Sequence, residues 1–342
     1  MIRTLACWLP ILCAALAGSR AVAVEMTAEV WKRQVLPEEP ILVRVTLTNP
    51  TDYTVSVVPP YLAGPSFPLR VVEVRDDDQR RQPEYRHNNR GSWLWVPIGG
   101  EWQRSKRRPW VLGPGEAAWT WHNLATFCEL HEPGRHHLVL QYEPQPSMLR
   151  ISGDETSPLP DNLWCAALEV DLGWIEILEP PEAERPLVEK LAARSYACWP
   201  KGEIPDRSLA PEVAAEAPTS VYVPYLEFYS MVARTRHSLM RPDRLERLRA
   251  EVRAFRERNP GFPLDYQLDV LLARCEYFSA IGEVVFARDH RLTPTAEQLA
   301  RVPPLAQALR EAAAASGDAG LVCEMEAWIG LAERQYHLGE GG

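Results

Sequence analysis

Hydrophobic positions along the chain repeat with two different periods, and the change falls near residue 179. From Val24 to Leu178 the period is two. Ile41, Val43, Val45 and Leu47 alternate with Leu42, Arg44, Thr46 and Thr48, the pattern of a half-buried strand, and Asn49-Pro50 closes it. Tyr53 to Val58 and Leu69 to Arg75 read as further short strands. Ala117, Trp119 and Trp121 share one face of another, and Leu138, Leu140 and Tyr142 one face of the next, directly after Pro133-Gly134. Leu168, Val170 and Leu172 alternate with Glu169 and Asp171 on the last. Many short strands punctuated by Pro, Gly and Asn predict an antiparallel sandwich over residues 24–178.

Glu179-Pro180-Pro181-Glu182 interrupts this pattern and opens a Pro-rich linker over 179–186. Beyond it the period is 3.6. Glu182 to Ala197 predicts a first helix, and the Pro- and Ala-rich stretch Pro200 to Thr219 an irregular loop. Tyr222, Tyr225, Leu226, Tyr229 and Val232 form one helical stripe. Leu245, Leu248, Val252 and Phe255 form a second, and Leu268, Leu271, Leu272, Cys275 and Phe278 a third. Leu305 and Leu309 lie on a fourth, and Val322, Met325, Trp328, Ile329 and Ala332 on a fifth. The prediction is a two-domain chain, all-β followed by all-α, with the α-helical domain over 187–342.

Parts of both halves resemble known modules. Glu39-Pro40-Ile41-Leu42-Val43-Arg44-Val45-Thr46-Leu47-Thr48-Asn49, Leu112-Gly113-Pro114-Gly115-Glu116 and Glu132-Pro133-Gly134-Arg135-His136-His137-Leu138-Val139-Leu140-Gln141-Tyr142 resemble strands and turns of bacterial immunoglobulin-like domains. The resemblance covers about 150 residues and implies a fold without an activity, since this architecture serves adhesion, inhibition and spacing alike. In the helical half, Met231-Val232-Ala233 and Leu272-Ala273 occupy like positions. The helix ending Arg256-Glu257-Arg258 runs into Asn259-Pro260-Gly261-Phe262-Pro263. That order resembles tetratricopeptide-type helical hairpins, which stack to form a concave surface for protein segments. A plain helical bundle is the alternative.

The first 23 residues read as an address. Arg3 is followed by an apolar run from Leu5 to Leu16, too short for a bilayer span, and Ala21-Val22-Ala23 offers a cleavage site. The expectation is export through a cleaved signal peptide, residues 1–23, to the periplasm or the extracellular space. Cys7 and Cys13 then leave with the signal, and five cysteines remain. Cys128 and Cys165 both fall in the strand half, at a spacing that permits a disulfide. Cys275 sits on an apolar helix face, where a buried thiol is expected.

Composition narrows the classes further. The chain has 342 residues, 46% hydrophobic and 24% charged, which excludes wholesale disorder. No apolar run of about 18 residues follows the signal, so no membrane span is expected in the mature chain. The formal charge is −9; removing Arg3 and Arg20 from the 37 basic residues leaves 35 against 46 acids, or −11. Nucleic acid is therefore not an expected partner.

Candidate chemistry is thin. His131-Glu132-Pro133-Gly134-Arg135-His136 departs from the helical H-E-x-x-H of zinc proteases: its second His comes one residue late, and Pro-Gly makes a turn. His136 and His137 fall on opposite faces of one strand. Asp76-Asp77-Asp78 lacks the Gly and distal Glu of a calcium loop and reads as a hairpin tip. No nucleophile elbow or phosphate loop is present, and nothing in sequence activates Cys128. No catalytic residue, metal site or cofactor is assigned, and the expectation is a non-enzyme.

Two surface features carry the binding expectations. Trp93 with Trp95, and Trp119 with Trp121, each share a strand face. Burial is the ordinary fate of such rings, whereas an exposed pair would form a ledge for sugar rings or a protein interface. From Arg75 to Arg108 nine basic residues stand against five acids, with Arg104, Lys106, Arg107 and Arg108 clustered. The stretch could meet an anionic glycan, lipid headgroups or an acidic partner. The reading is an exported, non-catalytic interaction protein of the cell envelope. Its helical half binds a protein partner, and its strand half is a spacer or second site. Carbohydrate binding by the aromatic ledge is the alternative, and protease inhibition through the Arg104–Arg108 hairpin a further one.

Overall fold

The computed structural model describes residues 24–61, 68–74, 79–81, 108–126, 130, 132–149, 159–197, 209–235, 242–289 and 293–336. Strands fill the first part: β1 (Glu25–Val30), β2 (Gln34–Val35), β3 (Leu42–Thr48), β4 (Val55–Val57), β5 (Leu69–Val74), β6 (Arg80–Arg81), β7 (Trp110–Leu112), β8 (Ala117–Asn123), β9 (Gly134–Tyr142), β10 (Leu163–Trp164) and β11 (Leu168–Ile177). Helices follow: α1 (Arg185–Ala197), α2 (Leu209–Glu216), α3 (Val223–Thr235), α4 (Pro242–Arg258), α5 (Tyr266–Asp289), α6 (Ala296–Ser316) and α7 (Ala319–Tyr336). Among the described residues no helix is long and apolar enough to cross a membrane.

The strands form three sheets, ordered β1-β3-β8, β10-β4-β7 and β2-β11-β9-β5-β6. Most pairs are antiparallel. The exceptions are β10 with β4 and β11 with β2, which run parallel. Both exceptions involve two-residue strands, too short to leave any periodicity in sequence. Val43, Val45 and Leu47 of β3 meet Leu138, Leu140 and Tyr142 of β9 and Ile175 and Ile177 of β11 in one core. The period-two reading of β3 therefore holds: its other face, at Leu42, belongs to a different core.

Two turns that bound this core bear on each other. Asn49, fully buried, donates from its side-chain nitrogen to the carbonyls of Tyr53 (2.7 Å), Leu112 (3.0 Å) and Gly113 (3.0 Å), while its side-chain oxygen accepts from Thr51 N–H. One amide thus fixes the end of β3 against the Leu112–Glu116 turn, where Gly115 takes a left-handed φ of 70°. Asn49→Ala is expected to cost about 1–3 kcal/mol, because it strands buried carbonyls. Urea unfolding checks this, with a shifted midpoint and unchanged slope.

The helices pack in chain order: α2 on α3, α3 on α4 and α5, α4 on α5, α5 on α6, and α6 on α7. Ion pairs join most successive pairs. Lys190 of α1 meets Glu212 and Glu216 of α2, Arg258 of α4 meets Glu227 of α3, and Arg256 forks onto Asp265 and Asp269 at the start of α5. Arg301 of α6 meets Glu283 of α5, and Arg310 of α6 meets Glu326 and Glu333 of α7. Each is partly exposed and worth little alone, but together they favour one register. The sequence stripes of α3 and α4 are buried as read, except Val232, which is half-buried against the same core.

One segment differs from expectation. The Pro- and Ala-rich stretch read as an irregular loop contains α2. Pro211 lies in the first turn, where its missing N–H has no helical partner to lose, and the alanines that follow favour helix. Pro303-Pro304 inside α6 falls on the exposed side, opposite the buried Val302 and Ala306.

Candidate functional site

The side chains singled out on β8 do not form an open ledge. Trp121 is buried, in a core that joins Leu36 and Leu42 of the strand half to Leu187, Leu191, Val213, Tyr222, Leu226 and Phe228 of the helices. Trp119 is half-buried and packs against the same core. Its indole meets Tyr266 edge-on (centroids 5.6 Å apart), and the Arg44 guanidinium lies 5.7 Å from its ring centre. Alternation explains the placement. Leu42, Arg44 and Thr46 pair across from Asn123, Trp121 and Trp119, so these residues share the face of β1-β3-β8 that the helices cover. The pair fastens the two halves together.

The edge of β8 is closed by the start of α7. Asp318 makes a bridge to Trp119 there. Gly317 before it has φ 73°, and a Cβ at this position would stand 3.2 Å from the Trp119 ring. Asp318 is wholly buried. It accepts from the Tyr266 hydroxyl (2.8 Å), from the Leu321 backbone N–H (3.1 Å), and from the Thr120 hydroxyl and Gly320 N–H. Burial holds its carboxyl above the ordinary carboxylate range despite these four donors. Around it, burial raises the phenols of Tyr61 and Tyr266 and pushes the Cys323 thiol up to about 11. Cys323 is thus a protonated thiol at neutral pH and a poor nucleophile.

A second fastening lies at the turn before β3. Glu38 takes φ 64°, a strained conformation for a residue with a Cβ. Glu39, almost fully buried, accepts from Leu36 N–H (2.9 Å) and Lys32 (2.7 Å). The Tyr222 hydroxyl, from the helical half, donates to the Pro37 carbonyl. Ser220 donates to Glu184, tying the start of α3 back to the end of the linker.

Among the described residues of the strand half, Trp31, Tyr53 and Trp174 are the exposed aromatic rings. Trp174 on β11 is 40% exposed. His137 stacks on its ring at 5.1 Å, and the Arg135 guanidinium lies 4.8 Å from its centre. His137 also meets Asp171 (2.8 Å), which accepts from Gly173 N–H at a bulge in β11. His136 instead meets Glu73 (2.7 Å) and the Glu132 carbonyl. The two histidines therefore serve opposite faces of β9. Trp31, also partly exposed, meets Trp121 edge-on.

Other predicted residues are less informative. Trp93, Trp95, Arg104, Lys106, Arg107 and Cys128 lie outside the described residues, as do Asp76–Asp78 and residues 1–23. Arg108 is exposed. Cys165 carries a free, half-buried thiol. Asp318, Tyr266, Thr120 and Trp174 were not singled out in sequence. Ser316-Gly317-Asp318 before an apolar helix is a start signal that could have drawn attention to the first of them. No protein-family model matches the chain, and no curated protein matches it at a significant level.

Proposed function

We propose that the chain is an exported, non-catalytic interaction protein of the cell envelope or extracellular space. Its helical half binds a protein partner, and its strand half, an immunoglobulin-like sandwich, spaces that module or carries a second site. The observation behind the partner-binding reading is the chain-order packing of the helices, the arrangement by which stacked hairpins build a surface for protein segments. Phe286 on α5 and Leu299 on α6 are 60% and 39% exposed, and the Arg301–Glu283 pair sets these stretches side by side. The immunoglobulin-like reading is supported by strand order. The chain passes from β1 in one sheet to β2 in the other, and β2 runs parallel to the last strand.

In-cell crosslinking of the tagged full-length protein tests the reading against a Phe286→Glu, Leu299→Glu double variant. A protein crosslink lost in the variant is the expected result. An unchanged pattern, or no protein crosslink in either, would move the reading away from the helices. Glycan binding remains the second reading because of Trp174, an exposed ring among polar side chains. It predicts a tryptophan fluorescence shift with sugar that Trp174→Ala abolishes.

A further inference from the structure

We propose that Asp318 makes the junction between the strand half and the helices sensitive to pH, its carboxyl group binding β8 to α5 and α7 more tightly when protonated than when ionised. The inference starts from position. Asp318 is wholly buried where three elements meet, and each supplies it with a donor: Thr120 from β8, Tyr266 from α5, and the Gly320 and Leu321 N–H groups from α7. Among the described residues no Lys, Arg or His forms an ion pair with it. An ionised carboxylate there carries an unbalanced buried charge, which is costly.

Protonation removes that charge and leaves the carboxyl group hydrogen-bonded. The Tyr266 and Thr120 hydroxyls can each donate or accept. A neutral Asp318 can turn its own O–H toward one of them while its other oxygen keeps the helix N–H groups. The start of α7 favours the anion, but burial outweighs it and holds the group above its ordinary range.

The phenols and the thiol around Asp318 do not change state with it. Facing Asp318 from α5 is Tyr266, whose hydroxyl also accepts from Gln267. From α7 come Cys323 and Glu324, and from the segment after β4 comes Tyr61. On β8, His122 is the next residue on the face that carries Thr120. Arg44 of β3 acts on Tyr266, and Arg108 acts on Cys323. The phenols and the thiol stay protonated through the range in which Asp318 changes state, since burial raises all three. A carboxyl raised in the folded protein contributes stability that is complete below its unfolded value, about 3.9, and is lost as pH rises through its folded value.

The test compares full-length wild type with Asp318→Asn, a neutral side chain of the same shape, by thermal melting from about pH 7.5 to about pH 3.5. Titrating groups far from residue 318 act equally on both and cancel. The expected result is a higher melting temperature for the Asn variant at pH 7.5. That gap narrows as pH falls and levels off near the unfolded carboxylate value. A lower melting temperature for the variant at pH 7.5, or a gap that does not change with pH, would overturn the proposal. Should the variant fail to fold, hydrogen exchange at the Gly320 and Leu321 amides of the wild type, corrected for intrinsic pH dependence, gives a second measure. Protection that rises as pH falls from about 7 to about 5 supports the proposal, and flat or falling protection sinks it.

Discussion

Trp121→Ala is expected to destabilise the protein by about 3–5 kcal/mol, the usual range for removing a large aromatic side chain from a well-packed interior. Trp121 sits where Leu36 and Leu42 of the strand half meet α1 and α3, so the loss falls on both halves at once. Denaturant unfolding measures the cost, and limited proteolysis shows where it falls. The variant should be cut in the helical half at protease levels that spare the wild type. Trp174→Ala is the matched control. Its ring is exposed on the opposite sheet, and a change of under about 1 kcal/mol is expected. Equal effects from the two substitutions would mean that the halves do not depend on each other for stability.

Gly320→Val should have the second-largest effect. A Cβ at this residue would stand 2.6 Å from the Thr120 hydroxyl oxygen and 3.1 Å from a carboxylate oxygen of Asp318. Neither can retreat easily, since the first belongs to a strand and the second to the helix start. The branched side chain must push α7 off the edge of β8, at about 1–3 kcal/mol. Gly330, ten residues along the same helix, provides the contrast. Its added Cβ would meet the far end of the Arg334 side chain at 3.3 Å, which can swing away. Gly330→Ala is therefore expected to stabilise by about 0.5–1 kcal/mol, the helix-propensity difference between the two residues. Melting temperatures that move in opposite directions for the two glycines would support this account, and a tolerated Gly320→Val would contradict it.

The long strands and most helices were legible because each carries its own period. β3, β8, β9 and β11 alternate, and α3 and α4 show apolar stripes whose members, Val232 apart, are buried. What failed to show was short or distant. β2 and β10 pair through two residues each, which is too few for any alternation. The helix α2 was hidden by Pro211, read as a breaker although it occupies a position that tolerates proline. The binding residues fared less well, for a different reason. Trp119 and Trp121 were correctly placed on one strand face, but what covers that face arrives from Tyr222, Tyr266 and Asp318, far along the chain. Local patterns carry no information about such a partner. The role of Trp174 depended likewise on His137 and Arg135 of the neighbouring strand.

The closure of β8 by Asp318 also orders the events of folding. The cover for this strand edge is encoded in α7, the last described helix. While the chain emerges, the edge of β8 must therefore wait with unpaired backbone groups, and Trp119 without its contact at Gly317, a template for pairing with other chains. Contacts between residues so far apart close slowly, because the intervening loop must first be ordered. Among the described elements α7 is thus the last to arrive, and a chain truncated before it is expected to aggregate more readily than the full-length protein.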